Sequence, residues 1–346
     1  IRESPTNLGT PIPGVIFRNE GNLDLTFTDV QSEAGILVDN VGTLTVNAST
    51  GTIDARDIDL RATDTITLAG NHTLAAGEQF LVRSSSGDVI LNDGVTITTS
   101  AAASTTDELV RLAAAGDAVL EGTFATTNHN SRITADGGIH LGGNITATAA
   151  ETVILEAGAA ITDDADIATQ ITAGTLSILD ANGVGSIANP INTTVDTLSI
   201  IGAANEAVVS GETHVRQTQD ITVDNVETVN GSFFLTTEDS VAGTTASVLV
   251  ESIDVGNAAV GITADGSIAT STALVSGLIR GADLTLTTNV PDALEGSITV
   301  ATEITGSTIV ATTGAVGGTT GYVDNITISN SSTSDTTIIA EAFGER

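Results

Sequence analysis

One five-residue phrase returns along this chain at a nearly fixed interval, and that recurrence narrows the possible folds more than any other feature. It reads DTITL at Asp64–Leu68, GDVIL at Gly87–Leu91, GDAVL at Gly116–Leu120 and GGIHL at Gly137–Leu141. Upstream it appears as GNLDL from Gly21 and GTLTV from Gly42; downstream as ETVIL from Glu151, GTLSI from Gly174, DTLSI from Asp196 and QDITV from Gln219. Most successive starts are separated by about 21–23 residues, a spacing typical of stacked repeats. The step from Gly87 to Gly116 is longer, and the step from Gly137 to Glu151 is shorter. A small or turn-forming pair followed by alternating aliphatics is a corner and a strand, and its return at a set period marks a repeat architecture.

Such a period holds three short strands and three corners. The chain is therefore expected to be all-β: a right-handed parallel β-helix (β-solenoid) with about 21–23 residues per coil and coils stacked at ~4.8 Å. Alternation should turn Ile66, Leu68, Val89, Leu91, Ile139, Leu141, Leu176 and Ile178 inward and leave Thr and Asp outside. Stacked Thr or Asn would form side-chain ladders.

The expected organisation is an extended lead-in or linker over 1–20, which holds three of the five prolines, and a single β-helix over 21–346. Its register loosens after about 224, where GSFFL (from Gly231), GSIAT (Gly266), ADLTL (Ala282), GSITV (Gly296) and DNITI (Asp324) follow at uneven intervals. The uneven spacing predicts phrases lying on different sides of the coil, in preference to a β-hairpin or small subdomain interrupting the rod. The helix formers of Ala101–Ala115, in the longest early interval, are read as a rung with a longer corner that has room for one helical turn.

Composition removes several functional classes. The net charge is −33, from 43 acids against ten Arg with no Lys, so no basic surface exists for nucleic acid. Such acidity favours solubility and attracts divalent cations. With no Cys, neither disulfides nor thiolate metal sites can form. The absence of Met, even at position 1, is read as a mature or excised segment. No apolar run is long enough for a transmembrane helix, and aromatics at 2% supply no girdles for a membrane barrel.

The candidate sites are sparse. Asp163, Asp164 and Asp166, in TDDAD, form an acidic cluster suited to weak Ca²⁺ binding, the one cofactor the sequence suggests. His72, His129, His140 and His214 share no metal-ligand spacing and are expected at surfaces or corners. Asp57 and Asp59, with Arg56, Arg61, Arg83 and Arg111, are what a polysaccharide lyase could use. Arg61 and Arg83, one coil apart, more simply predict a salt ladder with neighbouring acids. No catalytic constellation stands out, and the aromatic platforms usual for glycoside hydrolysis are missing.

At Gly185–Ile200 the chain reads GSIANPINTTVDTLSI, and at Ser84–Ser100 SSSGDVILNDGVTITTS. These stretches resemble the β-helical shaft repeats of filamentous-haemagglutinin-like large bacterial exoproteins, with Ala188–Pro190 the most specific part. The resemblance implies a secreted or cell-surface, non-enzymatic adhesive or structural filament. Its implied partners are other copies or flanking segments, assembled end to end or laterally, and cell-surface glycans or a neighbouring cell. Two alternatives are a carbohydrate-active β-helix enzyme and a calcium-dependent surface-layer or matrix protein.

Overall fold

In the computed structural model the described residues are 13–32, 35–55, 57–74, 79–100, 108–201, 209–238, 245–271, 278–281, 283–290, 297–300, 304–305, 308–315, 325–328 and 337–343. They form a parallel β-solenoid with no helix. Contacts divide the chain into two compact units, where the sequence predicts a single β-helix. The first is Ile1–Ala159 with Thr172–Gly174; the second is Ala160–Ile171 with Thr175–Arg346.

In the first unit each coil lays one strand on each of three faces. The repeated phrase supplies one face: Leu23–Leu25, Leu44–Val46, Ile66–Leu68, Val89–Leu91, Ala118–Leu120 and Ile139–Leu141 pair parallel, in phrase register. A second face holds His72–Leu74, Thr96–Ser100 and Thr123–Thr127, among others. The third runs through Gly35–Val41, Asp57–Ala62, Gln79–Ser84, Glu108–Ala114, Asn130–Ala135 and Thr152–Ala157. There Val38, Leu60, Val82, Leu112, Ile133 and Leu155 stack in register. Each step takes about 22 residues of chain, as a three-sided repeat requires, except the longer coil between Val82 and Leu112. All six are buried, as are the eight positions expected inside. Each removes roughly 1.5–3 kcal/mol worth of apolar surface from water.

The corners explain the polar half of the phrase. The Asp88 N–H donates to Thr65 Oγ1 (3.3 Å), the Asp117 N–H to Asp88 Oδ1 (2.8 Å), and the Gly138 N–H to Asp117 Oδ1 (2.7 Å). One slot in successive coils thus passes a side-chain acceptor to the next coil's backbone donor, which a buried corner must satisfy somehow. At Gly70 a Cβ would lie 1.8 Å from the Ala48 nitrogen, so only glycine lets adjacent corners stack there.

Three local points refine the sequence reading. Pro13–Glu20 is a strand paired with Gly35–Val41, because VIFRNE can continue the ladder; residues 1–12 lie outside the described residues. Glu108–Ala114 is a strand, the rung expected there: pairing with Phe80–Arg83 overrides helix propensity, and 101–107, where the longer corner falls, lie outside the described residues. The phrase from Glu151 leaves its face, since Thr152–Ala157 pairs with Asn130–Ala135. That accounts for the short interval before it.

The second unit repeats the plan with longer coils. Phe233, Val260, Leu284, Ile309 and Ile338 succeed one another in register, at intervals of roughly 24–29 residues, still within the range of a single repeat. Ile221, Val248, Ile268, Ile298 and Ile326 form a different column. GSFFL and ADLTL therefore belong to one face, and GSIAT, GSITV and DNITI to another, as the uneven spacing predicts. Between Ile191–Ile200 and Ile221–Glu227 the register slips at Leu198/Ser199, a bulge absent from the phrase alignment. Thr236, Thr263, Thr287 and Thr312 share one register position in four successive coils.

Candidate functional site

The acidic cluster is built as a turn. Ile161–Asp163 ends in Asp163, which is buried, whereas Asp164 and Asp166 are exposed. Asp163 Oδ1 accepts the Ala165 N–H (3.2 Å), Asp164 Oδ1 the Asp166 N–H (2.9 Å) and Asp166 Oδ1 the Ala168 N–H (2.9 Å). Asp163 Oδ2 also accepts from the Asn192 N–H at 3.5 Å. Each carboxylate caps backbone donors, which holds Ala165 at φ 72°. Among the described residues no group of three His, Asp or Glu side chains is gathered to hold a metal ion. Burial pushes the Asp163 carboxyl up to about 6, and Asp164 beside it acts in the same direction.

Arg61 and Arg83 are adjacent in register, and both reach the buried Asp59. Arg61 donates to Asp59 Oδ2 from Nε (3.0 Å) and Nη2 (2.5 Å), Arg83 from Nη2 (3.3 Å). This is the predicted salt ladder. Its hydrogen bond to Asp59 raises the Arg61 pKa, whereas burial lowers that of Arg83. Arg132 continues the face, paired with Glu156 at 2.6 Å, and Arg111 neighbours it in register. Arg56 lies outside the described residues.

Two histidines keep to the expected places and two do not: His129, though buried, stands at the corner between Thr123–Thr127 and Asn130–Ala135, and His140 is about half exposed, 3.8 Å from Asp117, whereas His72 and His214 are buried on strands. His72 occupies a core column with Ile97, Phe124 and Ile145, edge-on to Phe27. Burial lowers the pKa of His72 and of His129, which disfavours their charged forms. His129 and His140 do not come together on one face.

His214 belongs to an open cleft of about 680 Å³ in the second unit, whose lining gathers varied chemistry. Its wall is the Ser186–Pro190 turn, closed by Ser186 N–H to Asn189 O (2.8 Å) and Asn189 N–H to Ser186 Oγ (3.0 Å). The turn lifts Ile187 to 89% exposure. The floor comes from the outward residues of Thr213–Gln217 and Phe233–Thr237, which pair His214 with Phe234 and Arg216 with Thr236. The His214 and Phe234 rings stack at 4.8 Å and 17°. His214 Nε2 lies 3.1 Å from Glu212 Oε2, and Arg216 Nε donates to Glu238 Oε2 at 3.1 Å. Next in register, Gly261 leaves room for Phe234: a Cβ there would sit 2.7 Å from Phe234 Cδ1. Two signals in the sequence point here, the ANP turn and the adjacent phenylalanines of GSFFL; neither names the histidine.

No protein-family model matches the chain, and neither a curated protein nor a solved structure is significantly similar to it. The likeness to haemagglutinin-type shafts thus rests on the residues of the chain alone.

Proposed function

We propose that this chain is a non-enzymatic structural and adhesive shaft, a segment of a large secreted or cell-surface protein. One observation carries this. In the first unit the phrase's polar slot, Thr65–Asp88–Asp117–Gly138, is consumed in bonding coil to coil, so the repeat is spent on stacking and not on a repeated site. Stiffness follows from such ladders, because each coil contacts only its neighbours and every added coil repeats the same bonds. Association with further copies or flanking segments is supported by Pro13–Glu20, whose Val15, Ile16 and Phe17 stay about half exposed. Electron microscopy of the native material tests the reading. Long thin rods or fibres are expected; isolated globular particles overturn it.

A second reading, a carbohydrate-active enzyme, has one observation in its favour: Glu212, Glu238, Arg216 and His214 line a single cleft. Release of reducing or unsaturated ends from acidic or neutral polysaccharides would establish it in place of the shaft.

A further inference from the structure

We propose that the cleft between the Ser186–Pro190 turn and the strands Thr213–Gln217 and Phe233–Thr237 binds a short, uncharged oligosaccharide. The proposal deepens the adhesive half of the shaft reading and rests on it. Its volume, about 680 Å³, falls within the range of small-ligand sites. The chemistry of its lining is divided. Ile187 and the Phe234 ring, stacked over the buried His214, offer apolar surface. Beside that surface stand two carboxylates, each engaged through one oxygen: Glu212 Oε2 with His214, and Glu238 Oε2 with Arg216.

Their side chains remain 68% and 52% exposed, which leaves carboxylate surface at the rim to accept hydrogen bonds. A sugar ring matches this division. Its C–H face packs on apolar surface while its hydroxyls donate to carboxylate oxygens, and bonds to charged acceptors are the stronger class. Charge selects against an acidic sugar, which would meet Glu212 and Glu238 on a chain of net charge −33. Peptides lack the dense hydroxyl edge that two separate acceptors call for.

The four histidines make the test direct, because their imidazole resonances can be followed one by one in the full chain. The probes are maltohexaose, cellohexaose and chitohexaose, with hexagalacturonate as the acidic comparison. The expected result is a saturable shift of His214 alone with at least one neutral hexasaccharide, unaffected by hexagalacturonate. Phe234→Ala should weaken that binding about tenfold, the scale of a central aromatic anchor. Should Phe234→Ala fail to fold, Glu212→Gln keeps the shape and should weaken binding through the lost charge. No His214 response to any neutral probe overturns the proposal, as does a stronger response to hexagalacturonate, equal movement of all four histidines, or full affinity in Glu212→Gln. Rods with a silent His214 would reject the ligand and keep the shaft; globular particles with a responding His214 would do the reverse.

Discussion

The two units solve the same stacking problem with different amounts of chain. The first keeps to a period of about 22 residues apart from the longer coil between Val82 and Leu112. Its outward polar groups are largely used between coils: the Asp88–Asp117 slot at the corner, and Asp59 with Arg61 and Arg83 on the face. The second spends roughly 24–29 residues per coil on its corresponding face. It also slips register at Leu198/Ser199 and carries the protruding Ser186–Pro190 turn beside outward-facing His214 and Arg216. Strict periodicity repeats the same coil-to-coil register and leaves little that is distinctive. Irregular corners and bulges create concavity, which is where recognition tends to reside.

The comparison can be broken most sharply at its glycines. Gly70→Ala should cost about 3 kcal/mol, because the new Cβ collides with the Ala48 backbone, which cannot move without shifting a corner. Chemical denaturation of the full chain reads this as early loss of the first unit. Next in size is Asp59→Ala, which leaves Arg61 and Arg83 without their shared partner. Because both guanidinium side chains keep partial solvent access, at 43% and 34%, the loss should be about 2 kcal/mol and should shrink at high salt. Gly261→Ala should cost about 1 kcal/mol or less, since the atom it meets is the movable Phe234 ring. A Gly261→Ala effect as large as that of Gly70→Ala would erase the contrast between a packed corner and an adaptable face.

A further effect is pH-dependent. Burial raises the Asp163 carboxyl to about 6 in the folded state, above its unfolded value of 3.8. The folded chain therefore binds more protons between these values. This group's contribution to stability should be complete below pH ~4 and should fall as pH rises through about 6. Asp163→Asn should remove that slope from the melting temperature of the second unit; an unchanged slope assigns it to other groups.

Much of this was legible in the sequence because the phrase encodes both period and polarity. Ile66, Val89, Ala118 and Ile139 occupy one column, as do Leu68, Leu91, Leu120 and Leu141, in the alignment that the phrases themselves define. The salt ladder was legible for the same reason: Arg61 and Arg83 are one coil apart and share Asp59. What periodicity cannot encode is which side of the coil a phrase occupies. Glu151–Leu155 matches the phrase yet lies on another face, since a β-helix uses the same apolar alternation on every side. His72 and His214 depart from the expected surface or corner because His72 fills an inward slot usually given to aliphatics, and His214 is covered by a ring from the following coil. The cleft depends on that cross-coil stacking and on a turn whose height only the folded chain defines.

Hydrogen exchange across the full chain tests the central claim most directly, because a parallel solenoid ties strand N–H groups to the coils on either side. The account predicts slow, block-like protection over Gly35–Val41, Asp57–Ala62, Gln79–Ser84 and the strands that stack on them, with the second unit's face protected next and the Ser186–Pro190 turn exchanging first. Uniformly rapid exchange through the first unit's strands, or a Ser186–Pro190 turn as protected as those strands, would contradict it.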